Sequence, residues 1–174
     1  MPKKVYLLIL VLAVFVIAVI LVATMTQGEV LPLGSSLPNI QYTSGQTSHR
    51  VRADSVRPLL IMFFSKNCRH CLDELDRFNT NVDQFSRANL LFLTSDEGAE
   101  EDGIRNRWRI LFDTTRNNIR LGFISEGVVN EKFGISATPA FFAFEKNGVL
   151  VDRILGEAKL DRLLRSVNKP DSVQ

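Results

Sequence analysis

"FFSKNCRHCLDEL", Phe63 to Leu75, carries both cysteines of this chain, Cys68 and Cys71, with Arg69 and His70 between them. The stretch sits where two kinds of pattern meet. Upstream, "PLLIMFFS", Pro58 to Ser65, is a short continuous apolar run of the kind that forms a strand buried on both faces. Downstream, Leu72, Leu75, Phe78, Val82 and Phe85 recur at steps of three and four, which predicts an amphipathic helix. "NLLFLTSD", Asn89 to Asp96, is a second buried strand. Strand, helix and strand joined by short connections form a βαβ unit, so the two strands should run parallel. The cysteines then lie at the start of the helix.

Outward from this unit the pattern changes. "IQYTSGQTSHRV", Ile40 to Val51, reads as a weak hairpin about Gly45. "EGAEEDGIRNRW" is helical in its second half, "RILFD" has the look of a short strand, and "TTRNNIRLGF" carries no clear period. "SEGVVNEKFGI", Ser125 to Ile135, predicts a helix closed by Gly134. "AFFAFEKNGVLVDRILG", Ala140 to Gly156, has two apolar runs about Asn147-Gly148, a strong hairpin signal. A last helix places Leu160, Leu163, Leu164 and Val167 on one face. The order β-α-β-(α/β)-α-β-β-α implies an α/β fold, a central mixed sheet flanked by helices. Met62 and Trp108 read as core residues.

The N-terminus has a different character. "VYLLILVLAVFVIAVILVA", Val5 to Ala23, is 19 residues without a charge. As a helix it would span roughly 28 Å, close to the hydrocarbon thickness of a bilayer. Lys3 and Lys4 precede it and are the only charges before Glu29. The positive-inside rule leaves them in the cytoplasm and sends the remainder across. A cleaved signal peptide is the competing reading, but such apolar cores are usually shorter, and "VATMTQGEV" is a poor cleavage site. The expected organisation is a transmembrane anchor over residues 1–25, a juxtamembrane linker over 26–36 and one domain over 37–170. The location is then the cell membrane, single-pass, with the domain extracytoplasmic.

Charge and cysteine count narrow the chemistry. Setting aside Lys3 and Lys4 leaves 19 of the 21 basic residues against 19 acidic ones, with no basic stripe for a nucleic-acid backbone. A structural zinc site needs four ligands, and beyond the cysteine pair the chain offers only His49 and His70. C-type haem attachment needs a histidine directly after the second cysteine, and Leu72 stands there. A disulfide between Cys68 and Cys71 would close a very short loop and constrain the unfolded chain little, so it makes a poor staple. A redox pair fits better. Cys68 at a helix start faces free N–H groups and the positive end of the helix dipole, which stabilise a thiolate. Cys68 is then the attacking thiol and Cys71, one turn in, the resolving one. Arg69 and His70 lie in the first turn, where they can tune the thiolate.

These features together resemble the thioredoxin-like superfamily: a buried strand, C-x-x-C at a helix start, "ATP" before a hairpin, and a terminal helix. Thr138-Pro139 matches the cis-proline of that family, which implies that the proline packs beside the cysteines and that Thr138 offers backbone hydrogen bonds to an extended substrate. Gly156 falls where the family tends to have a glycine. The N-terminal anchor, the lead-in "LGSSLPNIQYTSGQ" and the acid three residues after the second cysteine, Glu74, are similar to membrane-anchored TlpA/ResA-type oxidoreductases. The likeness covers roughly Leu33 to Val167. It implies a thiol–disulfide oxidoreductase that reduces protein disulfides, for example in cytochrome c maturation. Glu74 would influence thiol ionisation and proton transfer, and a membrane electron donor would restore the dithiol. No cofactor is implied beyond the redox-active disulfide Cys68–Cys71. The substrates implied are proteins with disulfides or thiols, apocytochrome c among them, and Arg69 would lie against them. The chain departs from thioredoxin in having Met62 in place of a buried Asp, Asn67 in place of a Trp, and His70 in place of a Pro. The His of "CRHC" is shared with DsbA-type oxidases, and "LLFLTSDEGAEED" has some likeness to the accessory protein of methylamine utilisation. A disulfide oxidase and a non-catalytic binding module or copper chaperone are therefore the alternatives.

Overall fold

A computed structural model of the chain describes residues 9–19, 29–96 and 101–168. Residues 9–19 are helical (α1), with exposed apolar side chains. The rest of the anchor expected over residues 1–25 lies outside the described residues. Among the described residues no helix is long and apolar enough to cross a membrane.

The remaining elements are β1 (Gln41–Ser44), β2 (Thr47–Arg50), β3 (Leu59–Phe64), α2 (Arg69–Asn81) with a 3-10 turn (Val82–Phe85), β4 (Asn89–Thr94), α3 (Glu101–Arg107), β5 (Ile119–Phe123), α4 (Glu126–Phe133), β6 (Ala140–Phe144), β7 (Leu150–Leu155) and α5 (Leu160–Asn168). The seven strands form one sheet in the order β2-β1-β5-β4-β3-β6-β7. β3, β4 and β5 are parallel, and β6, β7 and the β1–β2 hairpin are antiparallel additions at either side.

β3 sits centrally because its residues satisfy two cores at once. Leu60, Met62 and Phe64 face α2, α3 and α5, where Leu75, Phe78, Trp108 and Leu163 are buried. Leu59, Ile61 and Phe63 face α4 and the β1–β2 hairpin, where Tyr42, Val51, Val129 and Phe133 are buried. Each large side chain fully buried in this way contributes about 1.5–3 kcal/mol. Phe78 fixes α2 on the sheet, its ring edge-on to Phe92 at 5.2 Å between centroids.

"RILFD" is not a strand: residues 109–112 form a turn after α3. The Phe112 N–H returns to the Trp108 carbonyl at 2.9 Å, and the Leu111 N–H is taken by Asn79 Oδ1 at 2.9 Å. Backbone groups satisfied this way need no sheet partner. The strand lies further on, in "IRLGF". Within the segment expected as linker, Leu31 N–H donates to the Phe133 carbonyl and Gly34 N–H to the Leu150 carbonyl; just after it, Leu37 N–H donates to the Gly148 carbonyl of the β6–β7 hairpin.

Candidate functional site

β3 ends at Phe64 and α2 begins at Arg69, so Ser65, Lys66 and Asn67 must turn the chain in three residues. Asp96, just beyond β4, holds that turn. Its carboxylate accepts the Ser65 hydroxyl at 2.9 Å and the Lys66 N–H at 2.5 Å. The Ser65 hydroxyl oxygen in turn accepts the Asn67 N–H at 3.2 Å. The turn thus delivers Cys68 to the N-cap of α2 in an extended conformation, φ −96° and ψ 113°.

Cys68 is half-buried, and its sulfur accepts the Cys71 N–H at 3.4 Å, the bond that Ser or Asp usually makes at a helix start. Negative charge developing on this sulfur faces the positive end of the helix. On its other side the thiol donates to the Thr138 carbonyl at 3.5 Å. The Thr138-Pro139 bond is cis, and the Pro139 carbonyl accepts the Gly156 N–H at 2.8 Å. Cys71 lies beneath, fully buried, where its sulfur accepts the Ser65 N–H at 3.5 Å. Burial pushes the Cys71 thiol up to about 12, helped by the adjoining Cys68 sulfur. Both cysteines are free.

Glu74, one turn beyond Cys71, is the only buried carboxylate among the described residues. Its Oε1 accepts the Ala158 N–H at 2.8 Å, and Arg77 Nη1 lies 3.0 Å from both carboxylate oxygens while also reaching the Ala158 carbonyl. Burial raises the carboxyl above its ordinary value; the Ala158 N–H and Arg77 pull it back, and nearby Glu157 adds to the rise. No described hydrogen bond joins Glu74 to either sulfur. His70 is exposed, and its Nδ1 meets the Glu157 carboxylate rather than the Cys68 sulfur, a carboxylate being the stronger acceptor. Arg69 is exposed on the same turn. A groove of about 440 Å³ opens beside Asp96 at the C-terminal ends of β4 and β5, lined by Thr94, Phe123 and Val128 among others.

Of the residues singled out from the sequence, the structure brings Cys68, Cys71, Thr138 and Pro139 together in one cluster. It does not identify Asp96, Ser65, Arg77 or Glu157. The Glu74–Arg77 spacing of three on a helix was a usable signal. So was Asp96 directly after the strand that neighbours β3, because loops at the C-terminal ends of parallel strands meet there.

No protein-family model matches the chain. No curated protein matches it either. Solved structures do. A peroxiredoxin-like protein from Aquifex aeolicus is 16% identical, over 80% of this chain and 87% of that one, with a TM-score of 0.65. The thioredoxin domain of a thiol-disulfide oxidoreductase from Bacteroides vulgatus is 17% identical, over 78% and 95%, with a TM-score of 0.59. The exposed lipoprotein thioredoxin of Streptococcus pneumoniae is 16% identical, over 74% and 97%, with a TM-score of 0.56.

Proposed function

From a thioredoxin-like fold with a cysteine pair at the start of α2, we propose that this chain is a thiol–disulfide oxidoreductase, anchored in the cell membrane by Val5 to Ala23 and acting outside the cytoplasm to reduce protein disulfides. The observation that carries the reading is the pairing of an accessible sulfur with a buried one. Cys68 lies at the N-cap with the Thr138 carbonyl beside it, and Cys71 lies beneath, its thiol held up by burial.

In this mechanism the Cys68 thiolate attacks one sulfur of a substrate disulfide. A mixed disulfide forms and one substrate thiolate leaves. Cys71 then loses its proton and attacks Cys68 Sγ. The Cys68–Cys71 disulfide forms and the second substrate thiolate leaves, so two electrons pass to the substrate. A membrane electron donor returns them. Glu74, a buried carboxyl whose own proton affinity is raised, is the acceptor suited to the Cys71 proton. Thr138 and Pro139 would align an extended peptide beside Cys68, with Arg69 on its flank. Apocytochrome c is one such substrate.

Two variants test this. Cys68→Ser should abolish insulin disulfide reduction, and Cys71→Ser should hold substrates as mixed disulfides on Cys68. Full activity of Cys68→Ser would end the proposal. Sedimentation with membranes after alkaline carbonate washing tests the anchor. A second reading, an oxidase, is favoured by His70 between the two cysteines, the residue shared with DsbA-type oxidases. A reduction potential of about −120 mV would select it over the reductase.

A further inference from the structure

The N-terminal ends of β3, β4 and β5 border an open cavity of about 890 Å³, lined by Leu59, Asn89 and Asn118 together with the half-buried Arg57 and the exposed Arg50, Arg52 and Arg120. Cys68 follows the opposite end of β3, and a six-residue strand spans about 20 Å, so this cavity is separate from the cysteine pair. Four guanidinium groups in one lining repel one another unless something answers their charge. The protein itself does so poorly. The only carboxylate of the lining, Asp54, accepts the Val56 N–H at 2.8 Å and the Asn89 amide at 3.0 Å and lies close enough to Arg57 to answer that one charge. Arg57 also reaches the neutral Asn117 side chain, at 3.5 Å. Among the described residues no hydrogen bond or ion pair engages the side chains of Arg50, Arg52 or Arg120.

A second observation lies next door. A smaller cavity of about 300 Å³ shares Tyr42, His49, Asn117 and Arg120 with the first and adds Arg116. Arg116 Nη2 pairs with Asp83 at 2.9 Å, while Arg120 is common to both cavities.

We propose that this arginine-lined trough is a binding site for a phosphate-bearing ligand. All of its cations are arginines, whose planar forks grip phosphate oxygens in pairs, where lysine would act only as a point charge. The Asn117 side chain, whose oxygen takes Arg57, keeps its amide N–H groups as further donors, and a cavity of this size suits a small molecule or a headgroup. The phosphate can come from a soluble metabolite or from an anionic phospholipid.

Thermal unfolding of the full chain in neutral detergent separates the two sources. One arm adds inorganic pyrophosphate against sodium chloride of equal ionic strength. The other adds short-chain phosphatidylglycerol against short-chain phosphatidylcholine. A ligand that binds only the folded protein raises the midpoint by mass action. A rise with pyrophosphate assigns a soluble phosphate; a rise with phosphatidylglycerol alone assigns a lipid headgroup. In either case the rise should vanish in Arg50→Gln/Arg120→Gln and shrink in Arg50→Lys/Arg120→Lys, which keeps the charge but loses the fork. Insulin reduction by these variants should stay at the parent level, which shows that they fold. No rise in either arm, or a rise that survives the glutamine pair, overturns the proposal.

Discussion

Arg77→Ala separates the charge of Glu74 from its support. Glu74 is fully buried, and three bonds hold its carboxylate there: the Ala158 N–H and two contacts from Arg77 Nη1. Losing one partner of a fully buried ion pair costs about 3–5 kcal/mol. The Arg77 side chain is 37% exposed, so water already screens part of its charge and the figure must be reduced. Hydrogen bonds to a charged group are worth about 1.5–3 kcal/mol, and we expect a loss near the middle of that range at neutral pH. The pH dependence gives the sharper test. The carboxyl of Glu74 is raised in the folded state, so folding holds its proton to higher pH than the unfolded chain does. The stability from this group is fully present below the unfolded value and is lost as pH rises through the folded one. Removing Arg77 takes away an influence that lowers the folded value. The penalty should therefore be small below the ordinary carboxyl value of 4.5 and grow toward neutral pH.

Urea unfolding followed by circular dichroism at acidic and neutral pH measures both quantities. Glu74→Gln placed on Arg77→Ala should restore most of the loss at neutral pH, because Gln keeps an oxygen for the Ala158 N–H and carries no charge. A penalty equal at both pH values, or no rescue by Glu74→Gln, would refute the assignment of a buried, charged Glu74 held by Arg77. The single Glu74→Gln variant also tests the chemistry. If Glu74 takes the Cys71 proton, the pH profile of disulfide reduction must change and not only the stability.

Other consequences follow from the same geometry. Iodoacetamide at neutral pH should label Cys68 and spare Cys71, read by peptide mass spectrometry, because burial keeps the Cys71 thiol protonated up to about 12. The same shift predicts that stability falls as pH rises from the ordinary thiol value of 9.0 toward 12, and Cys71→Ala should flatten that decline. Asp96→Ala strips the acceptor from Ser65 and Lys66, and should cost about 1–2 kcal/mol in urea unfolding while slowing alkylation of Cys68 or making it less uniform. Gly134→Ala should cost about 1–3 kcal/mol, because φ is +64° and a Cβ would collide with the backbone of Glu29 and Val30; enhanced proteolysis near residue 30 reports the displaced segment.

What could be read in advance was local. The β3 and β4 runs, the period of α2 and the Asn147-Gly148 turn each lie within a short window, and all appear in the fold. β5 escaped because its pattern answers a distant residue: a Cβ on Gly122 would strike the ring of Tyr42, so glycine there is what lets β1 lie against β5. The site divides the same way. Cys68 and Cys71 are legible from spacing alone. The residues that hold them, however, reach across the chain: Asp96 lies 31 positions from Ser65, and Ala158 lies 84 from Glu74. Each interaction exists only because the sheet order makes β4 a neighbour of β3 and brings the loop after β7 over α2. The arginine trough follows from the same logic. Arg50, Arg52 and Arg57 are scattered among polar residues and Arg120 is far away, so the linear chain shows no basic stripe. Pairing β1 with β5 gathers them. A balanced charge over the part that follows Lys4 therefore says little about local potential, and a domain neutral in sum can still present a pole that attracts anions.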